Sequence, residues 1–393
     1  MDGTLKNFTV VCLTVFTVLI FSLTVTATDP VVVGIVHRKN FAYAEMMKNA
    51  FEMALEEVNS TGGINGQPLQ LAFSDDQGDP KIGKQAIKEL VQQEKVVMIV
   101  GGYSSSNTLQ MAYVANRLDK PFLVCTAADN QITQHNLKNI YRLNPPAGEY
   151  TKGLEEFLLE QVKPKTMSIV YENSPYGTGG ARRMMCFCRE NDIELKGIHP
   201  YFKNGATPEY LKKILSPIQK VEPDVIFMMS YLKDATMLVC KIKEMKIRSV
   251  LCGGAGGFTH ENFCRKAGKS SENMVTATLW SPSVNFPKAE EFNKRFIKQY
   301  SILPDYHAAE AYSALLVCAD ALKRSQSLTP DDIRAALNDT KIETPFGKVE
   351  FKDYGQFKRQ NVSATQVFQI KNGRFETIWP LILATSTYSA PVN

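Results

Sequence analysis

The sequence predicts an α/β protein made of two doubly wound parallel-sheet lobes joined by a multi-strand hinge, and three observations carry that prediction. The chain has 393 residues, too many for one compact hydrophobic core. Strand-like and helix-like apolar segments alternate in two successive blocks, which is the pattern of a parallel sheet covered by helices on both faces. The last third holds too few elements for a third such sheet, so they complete the first two, and the chain must cross between lobes several times.

The first block opens on an unbroken apolar run at residues 31–36, a buried strand. Residues 44–59 follow with helical spacing of Met46, Met47, Ala50, Phe51, Ala54, Leu55 and Val58. The stretch "STGGINGQPLQLAFSDD" reads as a glycine stop, a tight turn and a second strand. A helix over 81–93, a strand over 96–100, a helix over 109–118 and a strand over 122–125 continue the rhythm. It restarts after residue 146 with strands at 167–171, 194–201, 225–229 and 250–252, separated by helices at 177–191, 208–220 and 235–245. In the final third, a strand at 275–280, helices at 288–300, 307–324 and 330–337, and short strands at 347–351 and 364–370 remain. The expected division is a leader over 1–27, a first lobe over 28–147 plus 275–353, and a second over 148–274 plus 354–393. A hinge between two such lobes places a ligand at the carboxyl ends of both sheets.

The leader, "MDGTLKNFTVVCLTVFTVLIFSLTVTATDP", has one lysine, an apolar run from Phe8 to Val25 and small residues at Val25-Thr26-Ala27. That is the form of a cleavable export signal, so the mature protein is expected outside the cytoplasm. A hydrophobic content of 44% and a charged content of 22% match an ordinary soluble globular chain. The net charge of +5 is spread without a basic block, so nucleic acid is not an expected partner. Beyond Cys12 of the leader lie Cys125, Cys186, Cys188, Cys240, Cys252, Cys264 and Cys318. Several of them sit in apolar segments where a free thiol packs as a small hydrophobe, so mostly free thiols are expected. Cys186-Phe187-Cys188 lacks zinc spacing, and His307 with Glu310 has no second such pair, so neither a metal nor a cofactor is expected. No catalytic set emerges either. The position two beyond Ser104 is Ser106 rather than the glycine of a nucleophile elbow, and Phe263 stands where the first glycine of a phosphate loop ending in "AGKS" would be.

The informative chemistry lies in turns at strand ends. In "GGYSSSN", residues 101–107, three hydroxyls sit where a buried strand hands over to a helix. The first amides of a helix lack partners within it and lie at the positive end of its dipole. One serine is expected to cap them, while Ser105 and Ser106 with those amides can receive a carboxylate. In the second block "CGGAGGF", residues 252–258, forms a glycine turn at the matching place. Tyr43, Tyr103, Tyr176 and Tyr231 all fall at strand-to-helix junctions, which predicts a lined pocket.

Taken in order, "ALEEVNSTGGINGQPLQLAFSDDQGDP", "GGYSSSNTLQMA", "VYENSPYGTGGARRM" and "HAAEAYSAL" resemble the leucine/isoleucine/valine-binding protein family, over nearly the whole mature chain. These are solute receptors of ABC importers with the type I periplasmic-binding fold. The resemblance implies a Venus-flytrap receptor closing on a small carboxylate-bearing solute, with the membrane permease of an importer as partner and a monomeric state. It implies that Ser106 accepts the ligand carboxylate and that Ala127, Ala128 and Asp129 complete the subsite. Tyr43, Tyr176 and Tyr231 match ligand-contact positions, and Gly254 and Ala255 lie in the turn that closes over the solute. His307 stands where an apolar side chain is usual.

Two departures bear on the ligand. Asp129 replaces a frequent threonine, and a carboxylate there would repel a bound carboxylate unless it turns away or meets an ammonium. Amino-acid binders of the family carry an acid in the second lobe's glycine turn, whereas this chain has Ala255 or Gly256. Either Asp129, Asp234 or Glu310 supplies that charge, or the solute is an aromatic or organic acid without an α-ammonium. The alternatives are a clamshell sensor for a separate membrane signalling partner and, more remotely, an amide-processing enzyme.

Overall fold

The computed structural model describes residues 29–202 and 207–390, so the expected leader lies outside the described residues. The first lobe begins with β1 (Val31–Val36), α1 (Ala44–Ser60), β2 (Leu69–Ser74), α2 (Pro80–Gln92), β3 (Met98–Gly101), α3 (Ser105–Arg117), β4 (Phe122–Val124), α4 (Gln131–Gln134) and β5 (Ile140–Arg142). The second lobe follows with α5 (Lys152–Phe157), β6 (Thr166–Glu172), α6 (Pro175–Glu190), β7 (Glu194–Tyr201), α7 (Pro208–Val221), β8 (Val225–Met229), α8 (Leu232–Glu244), β9 (Val250–Gly253), α9 (Glu261–Ala267) and β10 (Val275–Thr278). The chain then returns through α10 (Ala289–Tyr300), α11 (Tyr306–Arg324), α12 (Pro330–Asn338), the hairpin of β11 (Ile342–Thr344) and β12 (Gly347–Val349), β13 (Lys352–Tyr354) and β14 (Phe357–Gln360). It ends with β15 (Gln366–Lys371) and β16 (Arg374–Trp379).

Two seven-stranded sheets result, ordered β13-β14-β5-β4-β3-β1-β2 and β16-β15-β10-β9-β8-β6-β7. The run from β2 to β5 and the run from β7 to β10 are parallel throughout, while β15 and β16 add antiparallel edges. The strand at 275–278, placed in the first lobe by sequence, pairs with β9 and β15 in the second sheet, and β14 extends the first sheet beyond residue 353. A four-residue, fully buried strand fits either sheet locally, and only its partners decide between them.

The crossings follow β5, β10 and β14, and they are bonded to one another. Gln360 donates from Nε2 to the carbonyl of Asn144 at 2.8 Å, and Asn361 donates from Nδ2 to that of Leu143 at 3.1 Å. Ser281 Oγ donates to Gln366 Oε1 at 3.0 Å. Such side-chain bonds hold three connecting strands as one hinge.

Two local features show how the sequence sets this frame. Asn59 at the end of α1 accepts from the Leu69 amide at 2.8 Å and donates to the Leu69 carbonyl at 3.0 Å, pinning the helix end to β2. Gly63, with φ +66°, continues that turn, and a Cβ there would come within 2.1 Å of the Gln67 carbonyl oxygen. Helix α11 is buried on almost every side between the lobe-one sheet and its covering helices, and Asp305 caps it by accepting from the amides of His307 and Ala308.

Candidate functional site

In the first sheet the order reverses between β1 and β3, and in the second between β6 and β8. These are the switch points at which the following loops diverge and leave a crevice. Tyr43 follows β1, Tyr103 follows β3, Tyr176 follows β6 and Tyr231 follows β8, so all four predicted tyrosines stand at the crevice mouths. The two mouths face each other. Tyr103 and Tyr231, from opposite lobes, have ring centroids 6.0 Å apart, and Tyr176 lies 5.1 Å from Tyr231.

Polar contacts also cross the gap. Tyr43 donates its hydroxyl to the Gly256 carbonyl at 2.8 Å, and His260 Nε2 lies 3.0 Å from the Ala42 carbonyl. Within the second lobe Tyr176 donates to the Gly254 carbonyl at 3.0 Å. Burial pushes the phenols of Tyr43, Tyr103 and Tyr176 well above their usual range, so they act as neutral donors. Ala255, between the two bonded carbonyls, has φ 60° and ψ −145°. Backbone in that region is nearly confined to glycine, and such strain concentrates at ligand clamps.

His307 sits under this wall. Its ring stacks on Tyr43 at 3.6 Å and on Tyr306 at 3.9 Å, and Nδ1 lies 3.1 Å from Asp305 Oδ2. Burial lowers its pKa against the pull of Asp305, which leaves a neutral ring. An apolar cavity of about 470 Å³ adjoins it, walled by Met46, Asp305 and Tyr306 from one lobe and Thr259, Cys264 and Phe368 from the other.

The serine turn differs from expectation. α3 starts at Ser105, so Ser105 and Ser106 belong to its first turn, and Ser104, the capping residue, makes no side-chain cap bond. Ser105 Oγ instead accepts from the Ala128 amide at 3.2 Å, tying the turn to the loop after β4, while Ser106 Oγ lies 3.5 Å from Ser104 Oγ and is half-buried. The cap expected of one serine is thus not made by Ser104, and the Ser105 hydroxyl, expected to receive a carboxylate, is engaged by the neighbouring loop. Ala127 and Ala128 are buried beside it.

The three acids considered as ammonium partners are disposed differently. Asp129 turns its carboxylate onto the Gln131 amide at 2.9 Å. Asp234 is buried in the first turn of α8, where its charge acts on Tyr201. Glu310 is fully buried on α11, its oxygens accept no hydrogen bond among the described residues, and burial pushes its pKa far up, so it is a neutral acid. The sequence reading missed Phe41, whose ring lies 4.2 Å from Tyr103, and also Arg38, Tyr150, Glu172 and His260. Arg38 and Phe41 follow β1 as Tyr43 does, so the same strand-end criterion could have found them.

The seven cysteines named above are free thiols, and no group of three potential ligands is placed to hold a metal among the described residues. No described helix is long and apolar enough to cross a membrane.

Residues 40–374 match the family described as periplasmic binding protein. The Leu/Ile/Val-binding protein homolog 7 of Brucella melitensis biotype 1 is 25% identical over 358 residues, covering 86% of this chain and 88% of that protein. Among solved structures, the branched-chain amino acid transporter substrate binding protein LivJ of Streptococcus pneumoniae, in complex with isoleucine, superposes with a TM-score of 0.79 at 21% identity. That match covers 88% of this chain and 98% of the other. A solute binding protein of an R. palustris ABC transporter, in complex with benzoate, gives 0.78 at 16% identity, covering 89% and 96%.

Proposed function

The chain belongs to the periplasmic binding protein family, and from that premise we propose that it is an extracytoplasmic receptor that delivers a small carboxylate-bearing solute to the permease of an ABC importer. The observation that carries this reading is the bonded contact, across the interlobe gap, of the loop after β1 with the glycine turn after β9, with Tyr43 held to Gly256 and His260 to Ala42. A ligand seated there touches both lobes only when they close, so binding and closure are one event. Ser106, half-buried in the first turn of α3, is the expected carboxylate contact, with Ser105 and Ala128 fixing the loop behind it. Tyr43, Tyr103, Tyr176, Tyr231, Gly254, Ala255 and His307 form the walls. Isoleucine in one structural neighbour and benzoate in another support a carboxylate as the common feature.

The test is a thermal-shift screen of the mature chain that pairs α-amino acids with amine-free acids of matched shape. A ligand at about 100 times its dissociation constant adds roughly 2.7 kcal/mol, which raises the melting temperature visibly. Stabilisation by amino acids alone makes this an amino-acid receptor, and stabilisation by amine-free acids alone makes the alanine-glycine turn a change of specificity. Ser106→Ala should weaken the ligand so found by about 1 kcal/mol or more. Unchanged affinity would remove Ser106 from the site.

A further inference from the structure

We infer that Arg38 is a charged carboxylate anchor of the interlobe cleft, a second grip on the acid group beside the serine turn; this rests on the receptor reading above. Arg38 stands two residues beyond β1, at the switch point of the first sheet. Its guanidinium is held by packing. Phe41 lies beneath it, with the ring centroid 6.0 Å from Cζ, and Gly78 lies against it, where a Cβ would approach Cζ to 2.9 Å. Gly78 has φ +70°, so both its backbone and its missing side chain suit this slot.

What the slot lacks is an anion. Arg38 Nε is buried and donates no hydrogen bond, and no carboxylate lies within ion-pair distance among the described residues. The charge of Arg38 is felt by Asp76, but that carboxylate already accepts from the Gly78 amide at 2.9 Å. A guanidinium has five donors in a planar fork; here the residue is half-buried, and its buried Nε is the donor left without an acceptor, which costs free energy. Its position says where the acceptor must come from. The Arg38 charge acts on the phenols of Tyr103 and Tyr231, one from each lobe, and Phe41 beneath it packs on Tyr103. The fork therefore borders the gap where the solute is expected, and a carboxylate is the planar partner it matches bidentately.

The experiment uses the mature full chain and four probes, benzoate, phenylacetate, leucine and isoleucine, each beside its primary amide, titrated into wild type, Arg38→Gln and Arg38→Lys. At least one acid should bind wild type, about tenfold or more tighter than its amide. Arg38→Gln should weaken that acid about tenfold or more and leave the amide within about twofold, while Arg38→Lys retains part of the preference. The melting temperature of unliganded Arg38→Gln is the control for folding. Acid affinity unchanged in Arg38→Gln, or acid and amide weakened alike, overturns the anchor while leaving the receptor reading intact. Failure of every probe to bind wild type counts against both.

Discussion

Replacing Tyr43 by phenylalanine tests whether the interlobe contact drives closure. The substitution removes the hydroxyl that donates to the Gly256 carbonyl at 2.8 Å but keeps the ring stacked 3.6 Å from His307. Gly256 would not be orphaned, because its carbonyl also accepts from Thr259 Oγ1 at 3.0 Å. The loss is therefore that of a net hydrogen bond, about 1 kcal/mol, without the larger penalty of an unsatisfied acceptor. The bond exists only when the lobes meet, so the whole of that energy falls on the closure equilibrium, a shift of about fivefold toward the open form. For a ligand that binds the closed form, apparent affinity drops by up to the same factor. Calorimetric titration with an acid returned by the stabilisation screen measures the second quantity, and interlobe energy transfer in the unliganded protein measures the first. A dissociation constant within about 1.5-fold of wild type, with an unchanged closed fraction, would refute the reasoning.

Other consequences follow from the frame and from titration. Gly63→Ala should cost about 2 kcal/mol or more, because the left-handed backbone and the Gln67 carbonyl both oppose a Cβ, and chemical denaturation will show it as a lower midpoint with an unchanged slope. Burial lowers the pKa of His37 from 6.5 to about 4, against the pull of Asp75. The unfolded chain then takes up a proton that the folded one refuses, so stability should fall as pH drops from about 6.5 to about 4. Melting temperatures across that window should flatten in His37→Gln, and identical profiles would exclude His37 as the cause.

Much of the fold was readable because the signals are local. The apolar strand at 31–36, the 3.6-residue spacing in α1 and the glycine stop after Asn59 each reflect a rule acting within one turn or strand. Pooled over the chain they made two parallel sheets the natural outcome. The strand-end tyrosines were legible for a related reason: in a parallel sheet every strand points its carboxyl end the same way, so a residue just past a strand lies on the ligand-facing edge. The same logic extends to Arg38 and Phe41, which were passed over because charge and bulk in a loop are common.

By itself, the sequence determined the α/β alternation, the existence of two lobes and the set of strand-end residues available to a cleft, since all three depend on periodicity and on short-range turn chemistry. Only the tertiary structure decided which sheet received β10, that Ser104 makes no side-chain cap on α3 while Ser105 accepts from the Ala128 amide, that Asp129 turns to its own loop, and that Arg38 borders the gap without an anion. Those outcomes depend on which of several chemically suitable partners comes within about 3 Å, the reach of a hydrogen bond. Segments far apart in the chain supply those partners, and folding alone brings them together.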